Sequence, residues 1–296
     1  LRTYPAPELT NMGDYLADMM ALVPAESYGV VFGGHGSAWI PAGGSLTPKG
    51  AGYPGGEYPL GQAPLPGAEV TRYFGESGCM FDIADIASHM ESTGRHFDYV
   101  IFDDCFMSNI ESLYDMRRAA DYIISSPCEI MGNGFPYRTV IPQLFTDGGR
   151  GRDLEAVCRA FHDFYTSYTY PSGCVTLTVC GQMDAMAAAA QALYAGATGD
   201  YDRDALQTYE PLVDHLFYDF RQHAEALSRD EVLTDEFRRQ FDRTFPASCR
   251  LHTESYYSAY NRAMNPIEYY SGVSVSEPAE VYVDENRATA WYRATH

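Results

Sequence analysis

The chain has 296 residues, is 46% hydrophobic, and carries 20 basic against 40 acidic side chains for a formal net charge of −20. That length and apolar content can build a large core, as one big domain or one domain with a helical appendage, and the acidity argues against nucleic acid as a partner. No apolar run reaches the about 20 residues a membrane helix needs, and seven cysteines, an odd number scattered widely, imply no compact disulfide framework.

Taken in order, Met12, Tyr15, Leu16, Met19, Met20 and Leu22 predict a helix over Leu9–Leu22, with Thr10 or Asn11 as its cap. Tyr28–Phe32 is a short apolar run of the kind a buried strand shows, and it breaks into Gly33-Gly34-His35-Gly36-Ser37-Ala38-Trp39. From Trp39 to Val70 glycine and proline dominate and periodicity is lost. This predicts a long surface loop, which holds Lys49, the only lysine of the chain. Phe81–Met90 reads as an amphipathic helix, and a second apolar run, Tyr99–Phe102, then stops at Asp103-Asp104-Cys105. From Met107 the spacing turns helical, with Ser108 or Asn109 available as a cap. Strand, helix, strand alternation predicts a parallel sheet with helices on both faces.

Tyr122–Ser126 reads as a third strand, with Glu129–Tyr137 as a loop at its carboxyl end. Pro142–Phe145 and Leu154–Tyr168 follow as helices, then a strand over Gly173–Val179 and an alanine-rich helix over Met183–Tyr194. After a polar break at Asp200–Asp204, apolar spacing predicts a long helix over Ala205–Leu227, a shorter one over Phe237–Phe245, and a last strand at Gly272–Val275. The break suggests a subdomain boundary, with 1–199 as an α/β unit and 200–296 as a helical region packed on it.

Two strands thus end in reactive groups. A thiol between a strand end and a helix start feels the positive end of the helix dipole, which favours the nucleophilic thiolate. His35 ends its own strand in the same way, and open parallel sheets gather functional groups at the carboxyl ends of strands. The pair His35 and Cys105 therefore converge as general acid or base and nucleophile, against the blander reading of a buried structural cysteine and a satisfied histidine. The glycines beside His35 allow close backbone approach to a ligand. No closely spaced Cys or His set suggests zinc.

Val30–Trp39, with its Phe-Gly-Gly-His-Gly, and Val100–Arg117, with its Phe-Asp-Asp-Cys and the helix behind, resemble the two signatures of the clostripain family of cysteine peptidases, in the clan of caspases, gingipains and legumains. The resemblance continues through Ala120–Ser126, Gly132–Tyr137 and Tyr269–Ser274. It implies a caspase-like α/β/α sandwich with a mostly parallel sheet, further strand material upstream of Leu1, and a secreted, periplasmic or cell-surface location, although no signal peptide stands in this sequence. It implies a Cys105/His35 dyad, the amides of Gly36 and Cys105 as oxyanion donors, and no required cofactor. Calcium supports some relatives, but no Asp-x-Asp-x-Asp-Gly loop stands here to hold it.

The same resemblance gives Asp103 the base of the first substrate pocket, so that proteins or peptides are cut after Arg or Lys. It makes Lys49 and Arg72 candidate self-processing sites. The chain departs from the usual pattern twice. Asp104 replaces a small residue before the cysteine and opposes thiolate formation unless solvated, and Asn133 stands where many relatives have aspartate, among the substrate-binding residues. Two other readings stay open: a catalytically silent binding or scaffold protein of the bacterial surface, and a cysteine acyl hydrolase of other specificity.

Overall fold

The molecule is described from a computed structural model, which covers residues 12–42, 44–46, 58–59, 81–197 and 201–296. In chain order the elements are α1 (Met12–Leu22), β1 (Gly29–Gly33), β2 (Ser45–Leu46), β3 (Tyr58–Pro59), α2 (Ile83–Ser92), β4 (Phe97–Asp103), α3 (Ile110–Met116), β5 (Ala120–Ser125), α4 (Tyr137–Leu144), α5 (Leu154–Thr166), β6 (Thr176–Val179) and α6 (Met183–Ala195). They continue with β7 (Tyr218–Asp219), α7 (Phe220–Leu227), α8 (Glu231–Thr244), β8 (Ser255–Ser258), β9 (Ala263–Pro266), β10 (Ser274–Val275), α9 (Val283–Arg287) and α10 (Ala290–Thr295).

The central sheet runs β1-β4-β5-β6, with the first three strands parallel and β6 antiparallel to β5. Because side chains alternate across a pleated strand, neighbours on β4 and β5 feed opposite cores. Val100, Phe102 and Ile123 join one buried cluster with Ile83, Ile86 and Met90 of α2 and Ile110 and Leu113 of α3. Tyr99, Ile101 and Ile124 join the other, with Val140 of α4 and Val157 and Phe161 of α5. Helices on both faces of a mostly parallel sheet make the three-layer α/β/α sandwich expected from the sequence. The first cluster also runs on through Phe220, Phe237, Phe241 and Trp291, so residues on either side of position 200 share one core. Among the described residues β1 is the edge strand, and Val31 on it is exposed.

The helix predicted over Ala205–Leu227 does not form at that length; only Phe220–Leu227 is α-helical. Pro211 has no N–H for an internal helical bond. The buried Glu210 carboxylate also takes the backbone amides that a helix would use: Leu212 N donates to Oε2 at 2.9 Å, while Leu216 N and Phe217 N donate to Oε1 at 2.7 and 3.1 Å. The segment instead runs into β7, which pairs antiparallel with β10, and Asp219 caps α7 by accepting from Gln222 N at 2.8 Å. The C-terminal region also contains a hairpin, β8–β9, which the sequence reading did not identify.

Candidate active site

The parallel pairing of β1 with β4 ends at Gly33 opposite Asp103. His35 and Cys105 each follow two residues beyond that last pair, so they leave the sheet at matching levels although 70 positions separate them in sequence. The two segments are pressed together: a Cβ placed on Gly36 would lie 2.0 Å from the Cys105 carbonyl oxygen and 3.0 Å from its amide nitrogen. Only a residue without a side chain permits that approach. His35 is half-buried beside it.

Cys105 is 1% exposed. Its Sγ accepts a hydrogen bond from Ile130 N at 3.2 Å and faces Ile130 O at 3.8 Å, so the loop after β5 brackets the thiol. An N–H aimed at sulfur stabilises negative charge there. The chain beyond the cysteine is laced to the same loop through Phe106 N to Cys128 O at 3.1 Å and Ser108 N to Ser126 O at 2.9 Å. Phe106 holds φ at +61°, a conformation side-chain-bearing residues avoid unless their surroundings enforce it. Its ring stacks on Phe217, with centroids 4.9 Å apart, and lies 6.4 Å from Tyr260 at the turn of the β8–β9 hairpin. Glu129, on the same loop as Ile130, accepts Ala259 N of that turn at 3.1 Å.

The helix behind the cysteine starts at Ile110, capped by Asn109, whose Oδ1 accepts Ser112 N at 3.2 Å. Asn109, one of the two caps the sequence offers, is the cap used, although the apolar spacing itself begins at Met107. Four residues therefore separate Cys105 from the helix, and since a dipole's influence fades within its first turn, the thiolate argument passes from the helix to the Ile130 amide. Asp104 is fully buried, so the solvation that would have softened its charge is absent.

Asp103 is fully buried at the sheet's carboxyl end, with both oxygens engaged: Phe135 N donates to Oδ1 at 3.2 Å and the Tyr137 hydroxyl to Oδ2 at 2.6 Å. Asn133 is exposed two residues before Phe135, and its Nδ2 donates to the Tyr168 hydroxyl at 2.8 Å. Gly134 turns the loop at φ +64°, and its carbonyl accepts the Tyr165 hydroxyl at 2.7 Å. The Glu129–Tyr137 loop therefore delivers a partner to Cys105 and two partners to Asp103. Ile130, Phe135 and Tyr137 carry no sequence signal for these roles, since two of them act through backbone atoms. Lys49 and Arg72 lie outside the described residues.

Among the described residues, no group of three or more His, Cys, Asp or Glu side chains is placed to hold a metal ion, and no helix is long and apolar enough to cross a membrane. The clostripain family profile matches residues 73–276, more than half of the chain. A secreted cysteine protease of Bacteroides thetaiotaomicron, iotapain, is 28% identical over all of this chain and 80% of its own, with a TM-score of 0.83. A clostripain of the same organism, solved with the peptide inhibitor BTN-VLTK-AOMK, is 31% identical over 76% of this chain and 99% of its own, with a TM-score of 0.70. An inactive zymogen protease of Parabacteroides distasonis is 25% identical over all of this chain and 79% of its own, with a TM-score of 0.78. A comparison with curated protein sequences gives no significant match. The signatures at His35 and Cys105, the sandwich that aligns them and these matches agree: the chain belongs to the clostripain family of cysteine peptidases.

Proposed function

We infer that the protein is an endopeptidase acting through a Cys105/His35 dyad on peptide bonds that follow Arg or Lys. The observation that carries this reading is the seating of Gly36 against the Cys105 backbone, next to His35 and at the carboxyl ends of two paired parallel strands. In the reaction, the Cys105 thiolate attacks the scissile carbonyl carbon and its π electrons move to oxygen. The amides of Gly36 and Cys105 hold the resulting oxyanion. Collapse expels the amine, which takes a proton from the His35 imidazolium and leaves a thioester on Cys105. His35 then removes a proton from water as it attacks the thioester, releasing the carboxylic acid and regenerating the thiol.

Asp103 supports the basic preference, because a buried carboxylate favours a cation that enters beside it. The Lys that ends VLTK in the inhibitor bound to the Bacteroides clostripain points the same way. Asn133, neutral and exposed, weakens that preference. Burial of Cys105 supports a latent state opened by a cut after Lys49 or Arg72, since a polypeptide must reach the sulfur before it reacts. The secreted relatives support export of this chain as well.

A buried thiol is also what a silent scaffold would display, and one experiment separates the readings. The protein, with Cys105→Ala and His35→Ala, is incubated and then treated with an acyloxymethyl ketone peptide ending in Lys, and intact masses are recorded. The expected result is a cut product and one inhibitor adduct in the wild type and neither in Cys105→Ala. An unmodified, uncut wild type would favour the scaffold, and an adduct formed equally well with Leu in place of Lys would favour an acyl hydrolase of other specificity.

A further inference from the structure

Sheet pairing fixes β1 against β4 only as far as Gly33 and Asp103, so what registers His35 against Cys105 beyond that level must come from elsewhere. The segment carrying His35 turns back into the protein at Ala38, Trp39 and Ile40, all buried, with Ala38 at φ +53°. At its centre the Trp39 indole Nε1 donates to Ser276 Oγ at 2.8 Å, a buried bond across 237 positions.

Ser276 is itself held by the segment that follows the nucleophile. Its backbone N donates to Glu111 Oε1 at 2.8 Å, and Asn109 Nδ2 donates to its Oγ at 3.5 Å and to Ser274 Oγ at 3.3 Å. Glu111 Oε1 also accepts Asn286 Nδ2 at 3.0 Å. Ser274 N donates to Ser108 O at 2.9 Å, and Ser108 Oγ to Gly272 O at 2.7 Å. Residues 108–111, which follow Cys105, are thus stitched to 272–276, and 276 is stitched to Trp39, which follows His35. Each of Ser108, Asn109, Glu111, Ser274 and Ser276 is at most 1% exposed.

We propose that Trp39 is a positioning residue: its indole N–H, through Ser276, ties the His35 segment to the cap of the helix behind Cys105 and sets the distance between imidazole and sulfur. The proposal rests on the dyad assignment made above. Two physical points carry it. A buried indole N–H without an acceptor is unfavourable, so the bond holds the loop in one place. The positive φ at Ala38 persists only where surroundings over-determine it, and the anchored ring next to it supplies that constraint.

The test uses the full chain and the variants Trp39→Phe, which keeps an aromatic ring and loses the donor, Ser276→Ala, which loses the acceptor, and their combination. A displaced imidazole lowers kcat by about 10- to 100-fold, since misplacement on the order of 1 Å has that effect. KM stays within about twofold, because the substrate pocket is not altered. The double variant falls no further than the worse single one, as expected for two ends of one bond. Wild-type kcat in either folded single variant overturns the proposal. So does a kcat loss accompanied by a comparable rise in KM, or additive losses in the double variant, since both describe general loosening. If Trp39→Phe does not fold, Ser276→Ala alone decides by the same readouts. His35→Ala run alongside keeps the two readings apart: activity there removes the dyad itself, whereas an inactive His35→Ala beside a fully active Ser276→Ala removes only the tether.

Discussion

Gly36 offers the most direct perturbation of the site, because its neighbour is backbone that cannot swing aside. An added Cβ would lie 2.0 Å from the Cys105 carbonyl oxygen, whereas ordinary contact begins at 3.4 Å, so Gly36→Ala requires the two segments to part by about 1.4 Å. Misplacement by 1 Å can lower a rate by about 100-fold, and each tenfold corresponds to about 1.4 kcal/mol, so the barrier rises by roughly 3 kcal/mol. The assay is kcat and KM on a fluorogenic peptide ending in Arg or Lys, with thermal unfolding measured in parallel. Gly181→Ala is the control, since a Cβ there meets nothing within 4 Å. The expected outcome is a folded Gly36→Ala with kcat at or below about 1% of wild type and a Gly181→Ala indistinguishable from wild type. Gly36→Ala with kcat within threefold of wild type would refute the reasoning, because the two segments would then not need the approach the structure gives them.

Three further outcomes follow from the same geometry. Burial pushes the Glu111 carboxyl up from 4.5 to about 7, so the folded protein holds that proton more tightly than the unfolded chain. The stability it contributes is fully present below pH 4.5 and lost as pH rises through 7, an effect of roughly 3 kcal/mol. Chemical denaturation from pH 4.5 to 8 should therefore show Glu111→Gln gaining stability relative to wild type as pH rises, and a pH-independent difference would contradict this. Asp103→Asn keeps the size of the side chain and removes its charge, so kcat/KM should fall by about 100-fold on Arg and Lys peptides and much less on Leu peptides, with an unchanged ranking counting against the pocket role. Asn133→Asp adds a carboxylate to the loop that carries Phe135 and Tyr137, and should raise kcat/KM on Arg peptides by several-fold at low salt, an advantage that shrinks as ionic strength rises.

The parts of this molecule that local sequence could reveal are those whose cause is local. Val100–Phe102 form a strand because they are buried on both faces, and the apolar run stops where Asp103 and Asp104 begin. Val30–Phe32 belong to β1, the edge strand among the described residues, where Val31 is exposed, so the apolar run there marks a strand and not burial on both faces. Reactive residues at those two ends are visible without knowing what they touch. The 205–227 segment misled because its apolar spacing is real while its hydrogen bonding is not helical: Leu206, Leu212, Leu216 and Phe217 are buried, but around Glu210 and Pro211 rather than on a helix face. At the helix behind Cys105 the apolar spacing begins early, with Met107 and Ile110 both buried, and it is the polar cap Asn109 that marks the true start. Burial periodicity reports which side chains face inward and is silent on where the backbone amides go.

That distinction bears on the site itself. A strand-end histidine and a strand-end cysteine can be found by pattern, yet neither strand fixes the atoms that follow it, and the dyad proposed above needs the imidazole and the sulfur held to well under 1 Å. The constraints that supply this are contacts between distant segments: Gly36 on the Cys105 carbonyl, Ile130 N on the sulfur, and Trp39 on Ser276. Two of the three involve only backbone atoms on one side, so side-chain identity at Ile130 carries little information about its role. The third uses the most distinctive side chain of the His35 segment, and its partner becomes recognisable only when β10 pairs with β7 and Ser274 N bonds Ser108 O beside the nucleophile's helix. If the proposed tether holds, assembly of the C-terminal region is part of making the site, because it carries Ser276, the acceptor for Trp39, and loosening β10 should impair catalysis before it unfolds the sheet.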